Sequence, residues 1–129
     1  MNREIMPSSI APPAANYAHA MLSEGTDKLL HLSGVVATRP DGTIPDDVAD
    51  QAVVIWSNIA AILEEAEMVI EDIVSITTYV VVDFMACLPD VMAARDNALV
   101  DHRVASTLVT VPALARPAWK IEIAVVAAR

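Results

Sequence analysis

The chain has 129 residues with 17 acidic and 8 basic side chains, a formal net charge of −9 and a pI near 4.5. The basic residues are scattered, which disfavours nucleic-acid binding, because that draws most of its affinity from neutralising phosphates. Hydrophobic residues make up 55 % and mean hydropathy is +0.47, yet no apolar run approaches the roughly 20 residues that cross a bilayer; the excess is expected in the core of a single domain and in a homo-oligomeric interface, with no membrane partner.

Met1 to Pro7 lacks the apolar stretch of a signal peptide. The single cysteine, Cys87, excludes an intrachain disulfide and fits a reducing, cytoplasmic setting. Flanked by Met85, Ala86 and Leu88, it reads as core and not as a nucleophile. Residues 1–13 form an extended N-terminal segment, and the prolines between residues 7 and 16 make an irregular entry. Tyr17 to Ser23 and Lys28 to Ala37 read as strands, joined by Glu24-Gly25-Thr26-Asp27 as a hairpin turn. A second turn has Asp41-Gly42 at its tip.

Pro45-Asp46-Asp47 opens a helix with an aspartate N-cap, further acid at Asp50, and an apolar stripe of Val48, Ala52, Ile55, Ile59, Ile62 and Ala66. The β-branched run from Ile73 to Val82 predicts a buried strand. Pro89-Asp90 to Val100 predicts a second helix, with Val91, Met92, Ala94, Ala98 and Leu99 as its apolar residues. Ser106 to Val111 and Trp119 to Ala127 close the chain as strands. The order β-β-α-β-α-β-β predicts an α+β domain with both helices on one face of a mixed sheet.

In the last strand, period-two alternation puts Trp119, Ile121, Ile123, Val125 and Ala127 on one face and Lys120, Glu122, Ala124 and Val126 on the other. A carboxylate at Glu122 is either a general acid or base in a half-dry setting, or an edge charge that limits aggregation or pairs with Lys120. His31 and Ser33 share a face before Gly34, either beside a ligand or as satisfied structural residues. The spacing of His19, His31 and His102 is not that of metal ligands, and phosphate loops, nucleophile elbows and zinc-type cysteine pairs are absent. Neither a metal nor a cofactor is expected.

Four stretches in this order resemble the RidA/YjgF family of enamine/imine deaminases. Ala14-Ala15-Asn16-Tyr17-Ala18-His19-Ala20 is similar to its Tyr-containing entry, Leu32-Ser33-Gly34 to its Ser-Gly step, Asp50-Gln51 with Asn58-Ile59 and Leu63-Glu64 to its first helix, and Lys120-Ile121-Glu122-Ile123 to its closing strand. The resemblance implies a chorismate-mutase-like domain assembled as a homotrimer, with clefts for a small anionic metabolite between subunits. It also implies that Glu122 handles the water that hydrolyses a C=N bond, and that Tyr17, Ser33, Ser106 and Thr107 line the cleft. The family's carboxylate-gripping arginine falls on Ala105. Arg103, two residues upstream, is the expected catalytic cation, with Arg116 in the last loop as a further substrate-binding candidate. The implied activity is hydrolysis of small reactive enamines or imines with release of ammonia. The alternative is a trimer of the same fold that binds a metabolite without turnover; the ribonuclease activity ascribed to some relatives fits the charge balance poorly.

Overall fold

The computed structural model describes residues 1–129. The elements run β1 (Asn2–Ile5), β2 (Ala20–Ser23), β3 (Leu29–His31), α1 (Val48–Glu65), β4 (Ile73–Val81), α2 (Leu88–Leu99), β5 (Ala105–Val111) and β6 (Ile121–Ala128), with 3₁₀ turns at Ile70–Asp72 and Val82–Cys87. The main sheet has the order β3-β6-β4-β5, with β4 and β5 parallel and the other pairs antiparallel. Both helices cover one face, as the element order predicts. The alternation in β6 holds: Ile121, Ile123, Val125 and Ala127 are at most 1 % exposed and face the helices. On β4, Ile76, Thr78 and Val80 point the same way, and a register shift between Ile73 and Ser75 brings Ile73 onto that face as well.

Asp47 caps α1 by accepting from the Asp50 N–H at 3.1 Å. The buried stripe is Val48, Ala52, Ile55, Ile59 and Leu63, while Ile62, expected on it, is 39 % exposed. Over four turns the 3.6-residue period drifts past a strict i, i+3 step, so Leu63 inherits the inward direction. Gln51 is fully buried on the same helix. Its Nε2 donates to the carbonyls of Pro45 (2.8 Å) and Ala118 (2.9 Å), and its Oε1 accepts from the Lys120 N–H (3.0 Å), tying the start of α1 to the approach of β6. On α2 the buried stripe is Val91, Arg95 and Leu99. Cys87 packs against the core from a half-buried position.

The expected hairpin between β2 and β3 does not form. Asn2–Ile5, within the extended N-terminal segment, becomes β1 and pairs antiparallel with β2 as a separate two-stranded sheet, while β3 pairs with β6. The link between them does turn, with Gly25 at φ +61°. A turn brings two segments close without making them partners, and each strand here found a longer-range partner instead. The strand expected through Ala37 is interrupted at Ser33-Gly34 and rejoins the ladder at Val35, which exchanges hydrogen bonds with Ile123 at 2.8 and 3.0 Å.

Candidate active site on the open face of the sheet

The interruption at Ser33-Gly34 makes room for Glu122. The Glu122 side chain projects from the face opposite the helices, directly across from Tyr79 on β4, and is half-buried. A Cβ added at Gly34 would lie 2.5 Å from Glu122 Cδ, 2.6 Å from Oε2 and 2.8 Å from Cγ, closer than any real contact. Gly34 does not adopt positive φ, so glycine is needed here for space and not for backbone freedom.

Glu122 makes no hydrogen bond or ion pair. Lys120, the neighbour that could have neutralised it, is engaged elsewhere: its Nζ donates to the Asp46 carbonyl oxygen, lies 3.5 Å from Asp46 Oδ1, and sits 4.9 Å from the centre of the Phe84 ring. A half-buried carboxylate with both oxygens uncommitted is available to bind and move a proton. Ser33, beside Gly34, is exposed at the same interruption.

The remaining expected site residues divide between the two sides of the sheet. Ser106 and Thr107 are consecutive on β5, opposite Ile76 and Thr77 of β4, so they face opposite ways. Thr107 lies on the Glu122 face. Ser106 turns to the helix side, where it lines a cavity of about 260 Å³ with Tyr17, Leu88, Met92, Arg95 and Leu108. Arg103 donates from Nε and Nη2 to the two carboxylate oxygens of Glu4 on β1, at 3.1 and 2.7 Å. Arg116 stacks over the Trp119 ring at 5.1 Å in the loop before β6. Neither arginine is ion-paired with Glu122: Arg103 is held by Glu4 and Arg116 by the Trp119 ring. Ala105, at the start of β5, leaves only a methyl group where the resemblance expects a cation. No three His, Cys, Asp or Glu side chains converge as a metal site, and His102 instead bonds the Ile73 carbonyl at 2.7 Å.

One buried cation was missed from sequence. Arg95 is 6 % exposed; its spacing at i+4 from Val91 and i−4 from Leu99 was the available signal, since that spacing puts three residues on one helix face.

The family model described as Endoribonuclease L-PSP matches residues 8–129. The chain belongs to this family, that of the RidA/YjgF proteins. Among solved structures, the Rid-family protein YyfB from Yersinia pestis is 27 % identical, with 99 % of this chain and 98 % of that one covered and a TM-score of 0.88. TdcF from E. coli, solved with bound serine, is 25 % identical over 98 % of this chain and 99 % of that one, with a TM-score of 0.73. A YjgF-family protein from Mycobacterium tuberculosis is 21 % identical over the full length of both chains, with a TM-score of 0.70, and shares the fold. No curated protein matches the chain at a significant level. The architecture is therefore the RidA-type α+β fold, and no helix is long and apolar enough to cross a membrane.

Proposed function

We propose that this RidA-family protein is a cytoplasmic hydrolase of small anionic enamines and imines, acting at clefts between the subunits of a homotrimer. The observation that carries the proposal is the half-buried, unpartnered Glu122 carboxylate in a slot kept open by Gly34. The enamine first tautomerises to the imine, taking a proton from solvent on carbon and giving one back from nitrogen. Glu122 accepts a proton from water as the water oxygen attacks the imine carbon and the C=N pair moves to nitrogen. The nitrogen takes a proton from solvent to complete the carbinolamine, whose hydroxyl proton then passes back to solvent as the C=O forms; the C–N bond breaks with its pair leaving on nitrogen, and Glu122 returns its proton to the departing ammonia. The sum is imine plus water giving a carbonyl compound plus ammonia, with no change of oxidation state.

The bound serine of TdcF, an amino acid carrying a carboxylate, supports an anionic substrate of amino-acid size. The subunit clefts are supported by the uncovered parts of the sheet face, where Leu29 is 61 % and Val109 39 % exposed. Ammonia release from 2-aminoacrylate generated in situ tests the reading. Wild type should accelerate it and Glu122→Gln should return it to the uncatalysed rate; equal rates for the two proteins would remove Glu122 from the chemistry. The second reading, a metabolite-binding trimer without turnover, is favoured by Ala105, and it predicts ligand binding with no acceleration by wild type.

A further inference from the structure

Burying a guanidinium costs several kcal/mol unless its donors are met, because a charge leaving water loses its hydration. Arg95 is buried with that requirement only partly filled. Its Nε donates to Asp96 Oδ1 at 3.0 Å, and Nη2 lies 3.0 Å from the same oxygen without the alignment of a hydrogen bond, so a donor sealed from solvent has no acceptor. Asp96, half-buried beside it, satisfies one edge of a fork that carries five N–H groups.

The cavity that Arg95 lines holds two further donors. The Tyr17 hydroxyl accepts from the Ala14 N–H at 3.3 Å, which holds the phenol in place and leaves its own proton to give. Ser106 Oγ makes no hydrogen bond. The remaining walls are Ala15, Leu88, Met92 and Leu108, and no carboxylate lines the space. A cation, a phenol and a hydroxyl around an apolar pocket select an anion with an apolar body. At about 30 Å³ for each water-sized group, the volume suits a small organic acid and excludes a nucleotide.

We propose that Arg95, with Tyr17 and Ser106, is the carboxylate-binding site of this protein, taking the place of the cation absent at Ala105. The carboxylate accepts a charge-assisted hydrogen bond from the part of the guanidinium that lines the cavity, while the phenol and hydroxyl donate to its oxygens. The inference rests on the hydrolase reading for the class of acid, a 2-oxo or 2-imino acid, and not for the binding itself.

Isothermal titration with pyruvate, and with pyruvamide as its uncharged isostere, tests the site on wild type, Arg95→Gln and Ser106→Leu. Wild type should prefer pyruvate by at least about tenfold, Arg95→Gln should weaken pyruvate by about 10- to 100-fold while leaving pyruvamide nearly unchanged, and Ser106→Leu, which fills the cavity without touching Arg95, should abolish both. Equal wild-type affinity for acid and amide overturns the inference, as does undiminished pyruvate binding in either variant. Ser106→Leu carries the test by itself should the arginine variant fail to fold. Arg95-dependent pyruvate binding in a protein that releases no ammonia would refute the hydrolase and keep this site; ammonia release that needs Glu122 but ignores Arg95 would do the reverse.

Discussion

Replacing Gly34 with alanine tests the link between the interrupted strand and Glu122. The new Cβ would sit 2.5 Å from Cδ and 2.6 Å from Oε2, atoms that can swing aside, but also 2.8 Å from Cγ, which moves only if χ1 changes on a strand flanked by Tyr79. Such overpacking costs about 1–3 kcal/mol. Against it stands the loss of backbone freedom in the unfolded chain, which stabilises a glycine-to-alanine change by about 0.4–1 kcal/mol where the backbone is compatible, as it is here without positive φ. The net expectation for Gly34→Ala is a loss of about 1–2 kcal/mol. In a Glu122→Ala background the clash is gone, and the same substitution should stabilise by about 0.5–1 kcal/mol. The coupling of about 2 kcal/mol well exceeds the 0.3–0.5 kcal/mol scatter of independent sites. Urea denaturation followed by the fluorescence of Trp56 and Trp119 measures all four corners of the cycle. An identical cost for Gly34→Ala in both backgrounds would refute the packing argument, and with it the claim that glycine at 34 serves Glu122.

Gln51→Leu keeps the volume but strands the buried Pro45 carbonyl and takes the partner from the half-buried Lys120 N–H and the Ala118 carbonyl, so a loss of about 1–3 kcal/mol is expected by urea titration; under about 0.5 kcal/mol would mean the contacts are replaceable. Because Arg95 and Glu122 lie on opposite faces of the sheet, with β6 and β5 on either side of β4, a hydrolytic site using both must draw them from two subunits. Arg95→Gln and Glu122→Gln chains should each release little ammonia alone at low substrate concentration, and refolding an equal mixture should therefore restore release at about a quarter of the sites, whereas no recovery would show that the two residues do not share a site. Lys28 donates to the Glu67 carboxylate at 3.1 Å, and this hydrogen bond, followed by the ammonium charge, holds the Glu67 pKa below its ordinary value. The stabilisation is present above the ordinary glutamate range and is lost as pH falls through the depressed folded value. Lys28→Met should return Glu67 to the usual range in an NMR titration, and an unmoved Glu67 would point to another cause.

The elements that local rules describe were legible in the sequence. The β-branched run of β4, the alternation of β6 and the aspartate-capped start of α1 are each set by neighbours a few residues away, and the structure reproduces them with shifts of one or two residues. Pairing was not legible where it depended on distant segments: β2 had Gly25 beside it as a turn signal, but took β1 from the far end of the N-terminal segment as its partner. The cations show the same divide. Arg103 and Arg116 were prominent because they lie near the expected site in sequence, yet Glu4, 99 residues away, occupies one and the Trp119 ring the other. Arg95 is hidden from local rules, because a charge contradicts the apolar periodicity that defines its stripe.

From its residues alone, this chain determined a half-dry carboxylate at Glu122, a glycine at 34 and the absence of an arginine at 105, because face alternation and residue identity are local properties. Only the tertiary structure decided that Gly34 is the floor under Glu122, that Lys120 leaves the carboxylate unpaired, and that the buried cation stands on α2 behind the sheet. Those relations depend on which faces meet across 60 to 90 residues of intervening chain, and it is the packing of the sheet against its helices that sets them.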